Sequence, residues 1–188
     1  MPTSTKRLEQ SLQSLNALGD EAPRIFTQLY ADAAQEAAHA ADQRAAQGLS
    51  LGPLDGKLVS VKDLLDVAGQ ITTAGAAMRK TSAAATHDAP VVQRLRAAGA
   101  VIVGKTNMTE FAFSGVGINP HFGTPGNAMD PSRIPGGSSS GAGVSVARGL
   151  VDIAIGSDTG GSVRIPAAFN GVVGFKPTQA RVPRDGAF

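Results

Sequence analysis

The sequence predicts an α/β fold with a mixed, largely parallel β-sheet flanked by helices. Short apolar runs of strand length alternate with helix-like segments, and this alternation favours parallel pairing. The chain has 188 residues, 42% of them hydrophobic, which is enough to bury a substantial core. We predict a helical N-terminal region at residues 1–50 and an α/β region at residues 51–188.

The first predicted element is one long helix over residues 24–47. Pro23 suits its first turn, Gly48 follows its end, and the apolar positions between them recur at helical spacing. Residues 57–61 are then predicted as a strand with Lys62 at its end. This lysine therefore directly follows an apolar strand.

The second half of the chain predicts further alternating elements. Pro90 opens a helix that Gly99 closes, and residues 100–103 form an apolar run typical of a buried strand. Residues 115–137 are rich in glycine and proline, so we expect them to be irregular. The remaining predicted elements are a helix at residues 140–148 and strands at residues 151–155 and 172–175.

Composition argues against several classes of function. Lysine and arginine total 17 against 15 acidic residues, and no basic tract carries interleaved aromatic residues, so direct nucleic-acid binding is not expected. Cysteine is absent, which excludes disulfides and thiolate metal sites. The N-terminus lacks an apolar core of signal-peptide length, and no run approaches the ~20 apolar residues that span a bilayer. We therefore expect a cytoplasmic protein that makes no membrane contact.

Two serine-glycine clusters are candidate catalytic elements. The first is GGSSSG at residues 136–141 and the second is DTGGS at residues 158–162. Serine is a weak nucleophile at neutral pH and needs a base. The three histidines lie in no motif with a serine, so we expect His39, His87 and His121 to be structural or surface residues.

These clusters belong to a set of blocks that resembles the amidase signature family over most of the chain. In chain order the blocks are GPLDG, VSVKD, GAVIVGKTNMTEFAF, the two serine clusters and GVVGFKP. The resemblance implies a serine hydrolase without histidine, in which Ser162 is the nucleophile, Ser138 a relay hydroxyl and Lys62 the base. It also implies a cis peptide bond at Ser138, and it implies no metal or organic cofactor.

The resemblance further implies an oxyanion hole in the second cluster, formed by the N–H groups of Thr159, Gly160, Gly161 and Ser162. Such donors each contribute about 3–4 kcal/mol when aimed at charge that develops in the transition state. Taken alone, a DTGGS run is more typical of a tight turn without catalytic chemistry.

Three neighbouring residues are candidates for substrate binding or for support of the site. Ser139 would suit the N-cap of the following helix, as would the serines beside it. We expect Asp158 to be an acceptor that braces its loop. Arg164 either pairs with Asp158 or meets an acidic group of the substrate.

Lys62 must be uncharged to accept a proton. The ordinary pKa of lysine is about 10.4, so work near pH 7.5 requires the pKa to fall by about three units. Burial among apolar neighbours disfavours the charged form and would lower the pKa in this way. Asp63 would oppose that change, but neighbours on a strand face opposite ways, so we expect Asp63 to point away from the amine.

Residues 99–106, GAVIVGKT, match the phosphate-loop pattern G-x-x-x-x-G-K-[ST]. A phosphate loop follows a strand, whereas here a predicted helix comes first and the residues between the glycines themselves form a strand. We therefore expect Lys105 to lie on a strand and expect no nucleotide site.

Three functional hypotheses follow from the resemblance. The first is an amidase that hydrolyses a small-molecule carboxylic amide to an acid and ammonia or an amine through an acyl-serine. The second is the glutaminase-type subunit of a tRNA-dependent amidotransferase. Asn170 and residues 179–180 depart from that subunit's usual pattern and favour the amidase.

The third hypothesis is an inactive fragment with intact motifs. The family's catalytic domain is more than twice this length, so residues 51–188 would be the N-terminal part of a truncated catalytic domain. We then expect little activity from the chain alone. The sequence leaves a homo-oligomer open.

Overall fold

The computed structural model describes residues 2–188, which form six α-helices and four β-strands. The helices are α1 Ser4–Ala17, α2 Ala22–Ile25, α3 Ala31–Ala46, α4 Pro90–Ala97, α5 Ser140–Ala147 and α6 Arg164–Phe169. The strands are β1 Phe26–Leu29, β2 Leu58–Lys62, β3 Val101–Thr106 and β4 Ile153–Ile155. No helix in the described range is long and apolar enough to cross a membrane.

The four strands form one sheet in the order β1-β3-β2-β4. The central strand β2 pairs in parallel with both β3 and β4, and β1 runs antiparallel to β3. The predicted mixed, largely parallel sheet is therefore confirmed. Lys62 lies at the carboxyl end of β2, in register with Thr106 of β3.

Apolar side chains cover both faces of the sheet. On one face, residues of α1, α3 and α5 pack against β3, with Leu8, Ala34, Val103 and Val144 among the buried contacts. On the other face, α4 packs against the sheet through a second buried cluster that includes Val92. The two layers keep the strand ends, and the polar residues that follow them, in fixed positions.

The N-terminal half corrects one prediction. Residues 24–47 do not form one helix, because β1 interrupts them between α2 and α3. The N–H of Tyr30 donates to the carbonyl of Val103, at 2.9 Å, so pairing with a distant strand replaces local helical bonds. Helical spacing over a short window did not reveal this long-range partner.

The C-terminal part corrects a second prediction, since residues 172–175 form no strand. Helix α6 forms just before them, and the N–H of Val172 donates to the Ala167 carbonyl at the end of that helix. The other predicted elements of the second half are present, with small differences in their bounds. Residues 115–137, all of which the structure describes, contain neither helix nor strand, as predicted.

Helix α5 lies unusually close to the N-terminal segment. The Gly141 N–H donates to the Asn107 carbonyl at 3.0 Å. A β-carbon at Gly141 would overlap the carbonyl oxygen of Ile25 at the end of α2. Only glycine therefore lets α5 approach the segment that precedes β1.

Candidate active site

Lys62 occupies the centre of the site. It is 0% exposed, and its side chain leaves the carboxyl end of β2 toward the start of α5. Its Nζ lies 2.6 Å from Ser138 Oγ and 2.8 Å from Ser157 Oγ. The structure thus brings the predicted base and the predicted relay hydroxyl into direct contact.

Burial sets the charge state of this amine. Desolvation lowers the pKa of Lys62 from 10.5 to about 7, and the nearby Asp158 carboxylate opposes this change. Asp63 points the other way, as predicted, and accepts hydrogen bonds from Thr73. A substantial fraction of Lys62 is therefore uncharged at neutral pH and can accept a proton.

The first serine cluster presents Ser138 to the amine. The Gly137–Ser138 peptide bond is cis, as the family resemblance implied. The Ser138 side chain is fully buried, and its carbonyl accepts a hydrogen bond from the N–H of Thr109 at 3.0 Å. Ser139 occupies the N-cap position of α5, as expected, but its side chain makes no capping hydrogen bond.

Ser162 lies beside the first cluster. Its carbonyl accepts a hydrogen bond from the N–H of Ser139 at 3.2 Å, which joins the two serine clusters through the backbone. The Ser162 side chain is 8% exposed. Among residues 2–188, no hydrogen bond joins its hydroxyl to that of Ser138. The contact seen directly is between the predicted base and the predicted relay hydroxyl.

Asp158 braces the loop that carries Ser162. Its carboxylate accepts hydrogen bonds from the N–H groups of Gly161, Val163 and Arg164, at 2.8, 3.1 and 3.3 Å. The Arg164 guanidinium pairs with the same carboxylate and holds the pKa of Asp158 far below its usual range. The structure thus confirms Asp158 as a bracing acceptor, and it shows Arg164 paired with Asp158.

The four N–H groups predicted to form the oxyanion hole differ in whether they already make a hydrogen bond. The Gly161 N–H is already engaged with Asp158. The N–H groups of Thr159, Gly160 and Ser162 have no partner within the described range of the chain. Gly161 has φ +126°, a backbone conformation that side-chain-bearing residues rarely adopt. The loop's shape therefore depends on glycine at this position.

Sequence reasoning missed Ser157. This residue follows β4 and lies five positions before Ser162, inside the run GSDTGGS. Its hydroxyl contacts Lys62 because β4 is parallel to β2, so both strands end at the same edge of the sheet. No local pattern distinguishes it from other loop serines.

The histidines lie away from this cluster. His39 and His87 are exposed, and His121 pairs with Glu110, its Nε2 lying 3.1 Å from the carboxylate. None of the three contacts a candidate catalytic residue within residues 2–188. The expectation that they are structural or surface residues is confirmed.

The segment that matches the phosphate-loop pattern is the buried strand β3, as predicted. Lys105 is 0% exposed, and its Nζ donates to the Ile71 carbonyl at 2.9 Å and to Thr72 Oγ1 at 2.8 Å. It also lies 3.3 Å from the Asp63 carboxylate. This ammonium is therefore engaged within the protein and does not line a phosphate loop.

Asn170 holds the end of α6 against neighbouring loops. Its side-chain amide donates to the carbonyls of Pro135 and Pro166, each at 2.8 Å, and its oxygen accepts from the N–H of Ala128 at 2.8 Å. Three hydrogen bonds of this buried side chain account for asparagine here in structural terms.

Known proteins resemble this chain closely. A family model described as Amidase matches residues 6–188. The chain is 50% identical over 184 residues to a subunit of glutamyl-tRNA(Gln) amidotransferase from Anaeromyxobacter dehalogenans (strain 2CP-C), over 98% of this chain and 37% of the relative. It is 43% identical over 180 residues to 1-carboxybiuret hydrolase subunit AtzE from Pseudomonas sp. (strain ADP), over 96% of this chain and 39% of the relative.

A solved structure shows the same likeness. Native peptide amidase from Stenotrophomonas maltophilia matches with a TM-score of 0.90 and 39% sequence identity, over 99% of this chain and 39% of that chain. The chain therefore spans about two fifths of the length of the relatives it matches.

Proposed function

The chain belongs to the amidase family, and from that premise we propose that it carries the base, relay and nucleophile of an amide hydrolase. The contact between Lys62 Nζ and Ser138 Oγ, at 2.6 Å in a fully buried setting, carries this proposal. A buried amine that is uncharged near neutral pH is the base that a serine hydrolase without a catalytic histidine requires.

In the proposed reaction, Ser162 Oγ attacks the amide carbonyl carbon and forms a new C–O bond. The proton of Ser162 passes to Ser138, whose own proton passes to the lone pair of Lys62. The same path then returns a proton to the nitrogen of the departing amine as the C–N bond breaks. Water repeats the sequence on the acyl-serine and releases a carboxylic acid, so amide and water yield acid and amine.

The charge that develops on the carbonyl oxygen requires donors close to Ser162. We propose that the N–H groups of Thr159, Gly160 and Ser162 supply them, because these groups have no partner in the described chain. The Gly161 N–H, bonded to Asp158, then holds the loop in shape.

We propose that residues 51–188 are the N-terminal part of the catalytic domain, since relatives of this chain are about two and a half times as long. The substrate in this proposal is a small-molecule amide. The similarity to relatives that act on carboxybiuret and on peptides supports amide hydrolysis as the shared chemistry.

Labelling of the chain with a fluorophosphonate probe, followed by mass spectrometry, tests the site without a natural substrate. We expect one adduct on Ser162 that disappears in Lys62→Met. Ser132→Ala is the matched control, because Ser132 is exposed and contacts only its own turn. An adduct elsewhere, or one that is indifferent to the loss of Lys62, contradicts the proposal.

A second candidate is the glutaminase-type subunit of a tRNA-dependent amidotransferase, which the 50% identity to an amidotransferase subunit favours. That function also supports a cytoplasmic location, where charged tRNA is found. Ammonia release from glutamine only in the presence of partner subunits and glutamyl-tRNA would select it. Ammonia release from simple amides without partners would select the amidase. An inactive fragment would label weakly at Ser162 and release ammonia in neither assay.

A further inference from the structure

A second buried lysine lies on the face of the sheet opposite Lys62. Val61 and Lys105 are register partners on β2 and β3, as are Lys62 and Thr106. Since successive residues of a strand face opposite sides, the side chains of Lys62 and Lys105 leave the sheet in opposite directions. The two amines occupy separate polar clusters at the same edge of the sheet.

The partner of Lys105 is the residue next to the proposed base. Asp63 directly follows Lys62 and is 1% exposed. One of its carboxylate oxygens lies 3.3 Å from Lys105 Nζ. The same carboxylate accepts hydrogen bonds from Thr73, through both the N–H and the hydroxyl, and from the Thr27 hydroxyl at 3.2 Å. Four contacts therefore hold it on the Lys105 face.

A buried anion one residue from Lys62 bears directly on the function of that lysine. A buried carboxylate that has no cation beside it favours the ammonium form of amines near it, because charges in a buried setting are weakly screened. An ammonium cannot accept a proton from Ser138. The pairing with Lys105 cancels the charge of Asp63 locally.

We propose that Lys105 is a positioning residue for Lys62: it holds and neutralises the Asp63 carboxylate across the sheet, and so keeps the Lys62 amine available in its uncharged form. Lys105, the lysine of the GAVIVGKT segment, thereby acquires a role. The effect on the charge of Lys62 stands by itself, whereas its consequence for catalysis rests on the proposed function.

Other charged groups face the two clusters. Asp158 acts on Lys62 from the loop after β4. Asp66 and Arg79 act on Lys105 from the segment between β2 and α4, with opposite signs. None of these three changes in the variants below, so their effects are common to every protein compared.

Direct titration of Lys62 tests the proposal without any assay of activity. The chain has six lysines, so ¹³C-labelled lysine gives few Cε signals, and the signal absent from Lys62→Met is that of Lys62. In Lys105→Met, where Thr27 and Thr73 still hold the Asp63 carboxylate, we expect the pKa of Lys62 to rise by about half a unit to one unit.

Removal of the carboxylate, instead of the ammonium, must change the pKa of Lys62 in the opposite direction. Asp63→Asn leaves the Lys105 ammonium without its anion, so we expect the pKa of Lys62 to fall by a similar amount. The double variant Asp63→Asn/Lys105→Met has lost both charges of the pair, so the pKa of Lys62 should return close to its value in the wild type. Lys6→Met removes one exposed positive charge from α1 and should leave the Lys62 titration unchanged.

A merely structural role for the pair predicts no such ordered, opposite shifts. An unchanged Lys62 pKa in folded Lys105→Met overturns the proposal, because Lys105 would then have no influence on the charge state of Lys62. If Lys105→Met does not fold, Asp63→Asn decides alone: a fall supports the proposal and no change rejects it. If the Lys62 pKa shifts as described but Ser162 is not labelled, the proposed function is rejected and the role of Lys105 stands.

Discussion

Arg164 and Asp158 form a two-point ion pair: Nε of the guanidinium lies 2.9 Å from Oδ2 of the carboxylate, and Nη2 lies 2.8 Å from Oδ1. The two partners differ in burial, since the Asp158 side chain is 2% exposed and that of Arg164 is 52% exposed. The carboxylate also receives three backbone N–H groups of the Ser162 loop, so it is the partner on which the loop depends.

We therefore predict that Asp158→Asn slows labelling of Ser162 by about 10- to 100-fold, because a buried charged acceptor of several N–H groups is replaced by a weaker one. Loss of the negative charge should also lower the pKa of Lys62 and move the acid limb of the labelling rate to lower pH. Arg164→Gln should have a much smaller effect on the rate, since the guanidinium is half exposed and the three backbone N–H groups still bind the carboxylate. An equal or larger loss in Arg164→Gln would contradict this account.

Ser157→Ala should reduce the labelling rate by about 10-fold, because it removes a hydrogen-bonding partner that orients the Lys62 amine at 2.8 Å. Ser157→Thr keeps the hydroxyl and should retain most of the rate. Ser132→Ala is the matched control, since the exposed Ser132 hydroxyl contacts only Asp130 of its own turn. Rates measured for all three variants check the prediction, which fails if Ser132→Ala is as slow as Ser157→Ala.

Stability should depend on pH through Lys62. Its pKa in the folded protein is about 7, against 10.5 for the ordinary value, so between these values the unfolded chain binds one more proton than the folded chain. The free energy of unfolding contributed by Lys62 should therefore rise with pH across this window, by up to about 1.4 kcal/mol per unit, and level off below pH 7.

Urea unfolding of wild type and Lys62→Met at several pH values between 6 and 10 isolates this contribution. As the pH rises, the free energy of unfolding of the wild type should increase relative to that of Lys62→Met. Titration of Lys105 and Tyr30 is common to both proteins and cancels in the difference. A difference that does not vary with pH would show that the Lys62 amine keeps its ordinary pKa.

Gly161→Ala should slow labelling of Ser162 and destabilise the loop by about 1–3 kcal/mol, because alanine is strained at φ +126°. The new β-carbon would also lie 2.8 Å from Ile165 Cδ1. Gly160→Ala is the natural control, since a β-carbon there meets nothing within 4 Å. Thermal unfolding and labelling rates should separate the two variants, and similar behaviour of both would exclude the proposed strain.

Elements with strong local signals were predictable from the sequence. Pro90 and Gly99 delimit α4, and the apolar run at residues 100–103 indicates a buried strand, because these signals come from adjacent residues. The strand Phe26–Leu29 was not predictable in this way, since it exists through its pairing with β3, more than 70 positions along the chain. The helix α6 contains Pro166, which obscured its helical pattern.

The residues of the candidate site show the same difference between local sequence signals and long-range contacts. The resemblance to a known family points to Lys62, Ser138 and Ser162, and the structure brings Lys62 and Ser138 together. The roles of Ser157 and Lys105 depend on which strands are neighbours and which face each side chain takes. Neither can be read from spacing along the chain, because both contacts cross from one strand to another.

The close approach of Gly141 to the Ile25 carbonyl has a consequence for the first thirty residues, which hold none of the proposed catalytic groups. The end of that segment, at Ile25, packs directly against helix α5. Removal of the segment would take β1 out of the sheet and would remove the backbone against which α5 packs at Gly141, although no proposed reacting atom would be touched. Shortening this protein from its N-terminus should therefore disturb the sheet and the packing of α5 together.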